Sequence, residues 1–557
     1  MKSLWPLSYR SSSAVFAVLA LAATATLSIL LLTYFLILRP MIALQNERQS
    51  FVQASMICAQ AKQNISTSEE LRGKVPDHYW GMLSRSLEVT ELPCRNYQIL
   101  RERLLSKGVS EHKLNELNLL ASSENKFSNI DYNVGLPLNA EDQLRKAIRI
   151  FGLTALPIKK FEENPKYRLG QALFYDPIIS GRIDRSCATC HQDTHATADG
   201  LSVENRASVS DQEFAEEIPE RNVPDLWNRD HNSFANMLWD GRLEMIDPAT
   251  REFRVPEDIS TDGYENLMAV QSVLPLVKPV EMLGDPKIAI RNSKKGLPDS
   301  LTANLDLEEG LKPQEILDSI ISRLVGDTGD NLYEWQKDYR NLFKAAYGLS
   351  DTGELNASHI GNALAHFIEL TFQSRETPWD SYLKGNSLEI SKEAKQGAVL
   401  FYGLGRCAVC HSGDLFSDFS FHAIGVPQPN QEKDLGRFYA SGDPKDRYKF
   451  RTPPLRNVTL TAPFFHNGYS ESLTDAIVQH LSPYRQAKAY TKTGSHLMHK
   501  GEIEAISPLV GTPNYVTETQ VKLIVEFLFT LEDKTAGSLS SEPDSVPSGF
   551  FVNSGDE

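Results

Sequence analysis

The sequence predicts a mainly α-helical protein that contains two copies of one small helical unit. Strand-like alternation of apolar and polar residues is sparse along the chain, and polar helical segments such as LRERLLSKGVSEHKLNELNLLASS fill the region 45–130. The stretch GQALFYDPIISGRIDRSCATCH at 170–191 is echoed by QGAVLFYGLGRCAVCH at 396–411. Each copy runs from an apolar helical segment through a glycine-containing loop to Cys-x-x-Cys-His, as expected for a repeated unit.

The N-terminal segment, residues 1–40, is predicted to be an uncleaved signal anchor. No charge occurs from Ala14 to Leu38, a run of 25 residues, and about 20 suffice to span a bilayer. The short basic start should stay in the cytoplasm, so that the chain after Arg39 is exported, although Arg39 itself reduces the charge asymmetry. The alternative is a cleaved signal peptide, for which Ala23-Thr24-Ala25 resembles a cleavage site.

Four further regions follow the anchor. Residues 41–140 are predicted to form a helical extension of unknown role, 141–384 contain the first repeated motif, and 385–535 contain the second. Residues 536–557 are rich in Ser, Pro and acidic residues, which predicts a disordered tail. Cys58 and Cys94 lie outside the motifs and form either one disulfide, as export favours, or two free buried thiols.

The charge balance argues against one class of partner. The formal net charge is −15, which makes nucleic acid an improbable ligand. A solvated acidic surface and a basic protein partner both remain compatible with this charge.

The repeated Cys-x-x-Cys-His motif is the signature of covalent c-type haem attachment. Two thiols three residues apart share one face of a helical turn and can form thioethers to one haem, while the following histidine ligates its iron. Zinc held by paired Cys-x-x-Cys sites and a redox dithiol are the alternatives, but neither requires a histidine after each pair. The predicted residues are Cys187, Cys190 and His191 for one haem c, and Cys407, Cys410 and His411 for the other.

From Leu169 to about Leu531 the chain resembles the bacterial di-haem cytochrome c peroxidases and the related MauG enzymes. The resemblance is carried, in order, by LGQALFYDPIISG, SCATCH, RNVPDLWN, LWDGR, PVEM, FSDFSFHAIGVP, DLGRF and TPPLRNVTLTAPFFHNG. It implies two cytochrome-c-like helical domains, each with one haem. Hydrogen peroxide would be reduced at the N-terminal haem, in 141–384, with electrons passed through the C-terminal haem, in 385–535.

The resemblance also implies roles for individual residues outside the motifs. Glu281 in PLVKPVEM matches the distal carboxylate that moves protons on peroxide, and Gln271 would line the same pocket. Trp239 in LWDGR matches a tryptophan between the haems. A calcium ion between the lobes would be held by Asn222, Thr461 and Pro463.

Two departures from the family pattern affect the predicted iron coordination. The stretch between Gly200 and Arg221 contains no histidine that could block the N-terminal iron, and His195 is expected to be a surface residue or a propionate neighbour. The N-terminal haem is therefore expected to have an open sixth position. Fourteen residues after His466, where the family has Met or Tyr, this chain has His480, which predicts a bis-histidine C-terminal haem with His411. A one-residue misalignment leaves Tyr484 as the alternative ligand.

These expectations lead to three functional hypotheses. The first is a periplasmic peroxidase anchored in the inner membrane, with a small cytochrome c, a cupredoxin or quinol as electron donor. The second is a MauG-like enzyme that uses peroxide and high-valent iron to oxidise residues of a partner protein. The third is a non-enzymatic electron-transfer cytochrome. The insertions near 243–270 and 283–315 are expected at the surface near the active haem.

Overall fold

The computed structural model describes residues 24–123 except 25 and 29, 140–203 except 158, 182 and 184, and 221–283. It further describes 311–326, 332–428 except 375, 433–485, 487, 497–536 and 540–550; the side chains of 119–123 are not described. The chain forms two compact units. The first comprises Met1–Gln63 and Glu91–Asn139, and the second comprises Asn64–Thr90 and Ala140–Glu557.

The first unit is built from long helices around a small apolar core. Its helices are α1 (Arg39–Glu69), α2 (Asp77–Ser106) and α3 (Glu111–Ser123), of which α1 and α2 continue into the second unit. The core consists of Phe51, Ala54, Leu100, Leu104, Val109 and Leu114. A disulfide joins Cys58 to Cys94, which decides between the two possibilities left open by the sequence.

The helix that contains α1 is long and apolar enough to cross a membrane. It extends from Thr26 to Glu69, and its most apolar 18-residue window is fully exposed. The predicted anchor from Ala14 to Leu38 lies partly outside the described residues.

The second unit is mainly helical, as the sequence predicts. Its helices after the first unit are α4 (Ala140–Phe151), α5 (Pro165–Tyr175), α6 (Cys187–Cys190), α7 (Leu267–Val273), α8 (Pro313–Val325), α9 (Glu334–Tyr347), α10 (Ala357–Thr371), α11 (Pro378–Leu383), α12 (Lys392–Tyr402), α13 (Phe438–Ser441), α14 (Leu473–Leu481), α15 (Lys500–Ala505), α16 (Pro508–Gly511) and α17 (Glu518–Phe529). Short 3₁₀ and π turns connect them, among them Cys407–Val409 and Pro279–Leu283.

The internal echo corresponds to two equivalent helix crossings. LGQALFY lies in α5 and packs on α10, while QGAVLFY lies in α12 and packs on α17. A Cβ added to Gly170 would lie 2.0 Å from the carbonyl oxygen of Ala363, and one added to Gly397 would lie 1.8 Å from that of Leu523. Each copy therefore needs a glycine where its helix touches the backbone of a second helix.

Two small antiparallel sheets complete the second unit. In the first, β2 (Leu243–Asp247) pairs with both β1 (Asn236–Met237) and β3 (Glu252–Arg254), with an irregularity between Met245 and Asp247. The predicted insertion near 243–270 thus contains a β-hairpin followed by the start of α7. In the second sheet, β4 (Phe421–His422) pairs with β5 (Phe450–Arg451).

The prediction of a disordered tail over 536–557 is wrong for residues 540–550. The Ser548 hydroxyl donates to the carboxylate of buried Asp176 (2.6 Å), and Ser541 binds the carboxylate of Asp193 through its backbone N–H (2.8 Å). Val546 is buried in the main apolar core. The polar composition of the tail concealed these specific hydrogen bonds.

Candidate haem sites

The two motif histidines are oriented in the same way. The backbone N–H of each donates to the carbonyl of the first cysteine of its motif, at 2.9 Å for His191 and 2.8 Å for His411. Each Nδ1 lies near a backbone carbonyl a few residues later, that of Thr197 (2.8 Å) or Phe416 (3.0 Å). Metal-ligating histidines commonly use their second ring nitrogen in this way, which leaves Nε2 for the metal.

His411 and His480 face each other across an internal cavity. Their ring centres lie 6.2 Å apart, and Nδ1 of His480 is 2.8 Å from the carbonyl of Ala476 in α14. When two imidazoles bind one metal ion from opposite sides, each metal–nitrogen bond is about 2 Å long. With the distance from each ring nitrogen to its ring centre added, the two ring centres lie about 6 Å apart. The separation therefore fits one metal ion bound between the two Nε2 atoms.

Burial also sets the protonation of this pair. Burial, and then the neighbouring His480, lowers the pKa of His411 to about 4, and burial lowers the pKa of His480 as well. Both rings are therefore neutral near pH 7, which is the form that ligates a metal.

The walls of this cavity carry buried donors that suit an anionic guest. The cavity is lined mostly by apolar side chains, but Arg451 Nη1, Arg406 Nε and His466 Nε2 are buried there without a partner among the described residues. Burial lowers the pKa of Arg451 to about 9 and that of Arg406 to about 10. Haem suits this cavity, because its apolar ring would contact the apolar side chains and its acidic substituents would accept hydrogen bonds from the buried donors.

A zinc site fits the structure less well than haem attachment does. None of the four motif cysteines is in a disulfide. Within the described part of the chain, the one group of at least three metal-capable side chains joins Cys410 to Asp418 and His422, and it does not combine the two Cys-x-x-Cys pairs. A zinc site built from four cysteines is therefore not formed by these residues.

The segment that carries Glu281 is anchored beside the first motif. Glu281 lies in the π turn Pro279–Leu283, and the Arg185 guanidinium donates to its backbone carbonyl (3.0 Å). Gly181 N–H donates to the carbonyl of Met282 (3.0 Å). Because Arg185 is two residues before Cys187, these bonds hold the π turn against the chain segment that leads into the first motif. The Glu281 side chain is exposed.

Gln271 lies in a helix, whereas Trp239 lies in the bend between β1 and β2. Gln271 is half-buried in α7, whose end continues through the 3₁₀ turn Leu274–Val277 towards Glu281. Trp239 lines the cavity of His411 and donates its indole N–H to the carbonyl of Asn222 (2.8 Å). The Arg451 backbone N–H donates to the carbonyl of Trp239 (2.8 Å).

Two of the three predicted calcium ligands, Asn222 and Pro463, are in contact. Nδ2 of Asn222 is 2.6 Å from the carbonyl of Pro463 and 3.3 Å from that of Phe465. The hydroxyl of Thr461 donates to the carbonyl of Val458 (3.4 Å), and its backbone carbonyl, the group expected to bind calcium, stays a prediction. The oxygens of Pro463 and Phe465 converge on the Asn222 amide, and turning that amide would add its own oxygen to the set.

The remaining predictions fall on the surface or outside the described residues. His195 is exposed and contacts Gln192 and Thr194, as expected for a surface residue. Tyr484, the alternative ligand to His480, is 48% exposed and does not line the cavity. Most of 200–221, where a blocking histidine is absent from the sequence, and most of the insertion 283–315 lie outside the described residues.

Sequence reasoning missed the polar residues that face the cavity. Arg406 directly precedes Cys407, so a basic residue beside the motif was a visible signal. Arg451 lies far along the chain from the motif, and no local pattern distinguishes it from a surface residue. His466 lies in the family stretch PFFHNG, but that stretch does not indicate that its side chain faces the cavity. The proximal carbonyl acceptors of Thr197 and Phe416 are backbone groups and leave no signal in the sequence.

The chain is similar to known proteins over most of its length. The family model for di-haem cytochrome c peroxidase matches residues 164–388. Cytochrome-c peroxidase IdrP2 of a Pseudomonas species is 27% identical over 428 residues, 72% of this chain and 90% of that protein. The methylamine utilization protein MauG of Methylorubrum extorquens is 29% identical over 317 residues, 57% of this chain and 68% of that protein.

A solved structure, the diheme peroxidase BthA of Burkholderia thailandensis, aligns with 71% of this chain and 91% of its own, at 21% identity and a TM-score of 0.47. The family model and these relatives confirm the resemblance to the di-haem cytochrome c peroxidases and MauG proteins that the sequence motifs predict.

Proposed function

We propose that this chain is a di-haem c-type peroxidase that reduces hydrogen peroxide to water at the N-terminal haem with electrons passed through the C-terminal haem. The observation that carries the proposal is the different surroundings of the two motif histidines. His411 faces His480 at 6.2 Å, whereas within the described residues no ring contact pairs His191 with a second histidine. One site is thus suited to electron transfer and the other to a substrate.

Each haem, when bound, supplies an iron centre that exchanges electrons and, at an open position, binds peroxide. The chain's own groups provide the rest. Thr197 fixes the ring of His191 through its carbonyl, and the exposed carboxylate of Glu281 accepts a proton from the near oxygen of peroxide and returns it to the leaving oxygen. Gln271 lines the same pocket and orients the peroxide.

Electron passage between the sites involves Trp239. Its ring lines the cavity of His411, and its position is fixed by hydrogen bonds to the backbones of Asn222 and Arg451. A calcium ion bound by Asn222 and the carbonyls near Pro463 would fix the same segment, because the Asn222 carbonyl is the acceptor of the indole N–H.

The proposal places the enzyme on the periplasmic side of the inner membrane. The apolar helix that begins at Thr26 supports this location because it is long enough to cross a bilayer and its apolar part is exposed. A small cytochrome c, a cupredoxin or quinol is the proposed donor.

A second candidate function is MauG-like oxidation of residues in a partner protein. The facing pair His411 and His480 favours it, because imidazole in place of methionine lowers the reduction potential of a haem. Such a haem is a poor acceptor from a donor of high potential.

The test is steady-state consumption of hydrogen peroxide by the full-length haem-loaded protein with reduced cytochrome c. Glu281→Gln is expected to lower kcat/KM by about 10²- to 10⁴-fold, because it removes the proton-transfer group. Glu252→Gln, at an exposed glutamate in β3, is the matched control and should leave turnover unchanged. Equal turnover of both variants would refute the role of Glu281. Negligible turnover of the unsubstituted protein together with an oxidised state that persists would favour the second candidate.

A further inference from the structure

The tip of the α1–α2 hairpin, residues 64–90, belongs to the same compact unit as both motifs. This part of the chain comes from the extension whose role the sequence did not reveal. Its apolar residues Leu71, Tyr79, Leu83 and Leu87 form one buried cluster with Val409, which lies between the two cysteines of the second motif. Cys410 packs against the same cluster. The hairpin tip therefore packs directly on the second motif.

Polar contacts fix this packing along the whole tip. The buried hydroxyl of Ser86 donates to the carbonyl of Gly403 (2.8 Å), and Nη1 of Arg406 donates to the hydroxyl of Ser68 (3.2 Å). At the start of the tip, the side chain of Asn64 accepts from the backbone N–H of Tyr515 (2.9 Å). These three hydrogen bonds join the tip to the second motif and to the segment around Tyr515.

Tyr79 extends from this tip to Asp418, a partly buried acidic residue beside the motif. Its hydroxyl donates to Oδ2 of Asp418 (3.1 Å) and lies 3.0 Å from Nε2 of His422, which itself contacts the same carboxylate (2.9 Å). Tyr79 is 8% exposed. Asp418 is in turn tied to the motif, because its backbone N–H donates to the carbonyl of Cys410 (2.7 Å).

The Asp418 carboxylate lies close to the predicted haem attachment point. One of its oxygens is within 4.8 Å of the Cys410 sulfur. A partly buried negative charge beside a haem stabilises the ferric state relative to the ferrous state, because the ferric state carries one more positive charge. A hydrogen bond from Tyr79 to the carboxylate reduces that effect.

We propose that the hairpin tip supports the second motif and that Tyr79 is a positioning residue, which sets the reduction potential of the C-terminal haem through Asp418. The inference rests on the proposed haem at Cys407, Cys410 and His411. The extension thereby acts on the electron-transfer site through the motif on which it packs.

The test measures the midpoint potential of the C-terminal haem in the full-length haem-loaded protein. Tyr79→Phe keeps the ring in the apolar cluster and removes the hydroxyl, so the potential is expected to fall. Tyr97→Phe is the matched control, because Tyr97 also has a hydrogen-bonded hydroxyl (2.9 Å from Asn118 Nδ2) but lies in the first unit. The control should leave the potential unchanged.

A second substitution separates positioning from general structural damage. Asp418→Asn should raise the potential because it removes the charge, and Tyr79→Phe added to Asp418→Asn should produce no further fall. A potential that does not fall in Tyr79→Phe, or a fall that persists in the double variant, would overturn the inference.

Haem content distinguishes this outcome from failure of the proposed function. Replacing Cys407 and Cys410 by alanine should reduce the covalent haem content by one per chain. An unchanged haem content would refute the proposed C-terminal haem and the inference together. A reduced content with an unchanged potential in Tyr79→Phe would refute the inference alone.

Discussion

Asp380 forms a buried ion pair that holds the loop of the second motif, and Asp380→Asn should therefore destabilise the protein strongly. Its carboxylate accepts two hydrogen bonds from Arg456 (2.6 and 3.0 Å), and both side chains are at most 2% exposed. Nε of Arg456 donates to the carbonyl of Asp414, three residues after His411. The pair thus connects α11 to the loop that follows His411.

The size of the effect follows from this burial. Removing one partner of a buried pair leaves an uncompensated charge and costs about 3–5 kcal/mol. With a urea dependence of about 3 kcal/mol per molar, the unfolding midpoint should fall by about 1–2 M. The loss of the pair would also release the loop that positions His411.

The pH dependence of the destabilisation by Asp380→Asn follows from the direction in which the pKa of Asp380 is shifted. Burial raises the pKa of Asp380, but the hydrogen bonds and charge of Arg456 outweigh burial and hold this pKa below its ordinary value of 3.8. Its stabilising contribution is therefore fully present above the pKa of the unfolded chain, about 3.9, and is lost as the pH falls through the lower folded value. The difference between Asp380→Asn and the unsubstituted protein should be constant from pH 7 to pH 5 and should shrink only below about pH 4.

The assay is urea unfolding followed by circular dichroism and by haem absorbance. Glu334→Gln is the matched control, because Glu334 is 87% exposed and pairs with an exposed Lys337, so its loss should cost less than about 1 kcal/mol. Equal midpoints for Asp380→Asn and the control would refute the argument.

Three further predictions follow from other parts of the structure. Gly397→Ala should lower the thermal unfolding temperature because its Cβ would lie 1.8 Å from a carbonyl oxygen of α17. Gly81→Ala is the control and should be neutral or stabilising, since no atom lies within 4 Å of the added Cβ. Equal changes in unfolding temperature would contradict the close contact between α12 and α17. Ser548→Ala should destabilise the protein by about 1–3 kcal/mol in urea unfolding because the buried carboxylate of Asp176 loses a donor; an unchanged midpoint would show that the tail contact is dispensable. His480→Met should raise the midpoint potential of the C-terminal haem in spectroelectrochemical titration, and an unchanged potential would exclude His480 as its ligand.

Local patterns were the most informative part of the sequence. The Cys-x-x-Cys-His motifs were visible because their chemistry depends on residues at fixed short spacing, and both proximal histidines have the same backbone environment. The similarity of the two stretches around Gly170 and Gly397 was visible as well. In each copy the helix touches the backbone of a second helix, and this contact requires glycine.

Contacts between distant parts of the chain were not predictable from the residues alone. Tyr79 and Asp418 are 339 positions apart, and the helical pattern of 41–140 gives no indication of what its buried face contacts. The position of His480 was inferred from a family spacing rather than from its surroundings. The tail was misjudged because composition predicts how much apolar surface a segment can bury, and the bonds of Ser541 and Ser548 depend on single hydroxyl and amide groups.

The most direct test of the proposed division of labour is the electron paramagnetic resonance spectrum of the fully oxidised, full-length protein. The account predicts one low-spin ferric signal from the haem between His411 and His480, and one high-spin ferric signal from the haem of His191. It further predicts that added hydrogen peroxide removes the high-spin signal first. A spectrum with no high-spin ferric signal would contradict the account, because it would mean that both irons have their sixth position filled by the protein.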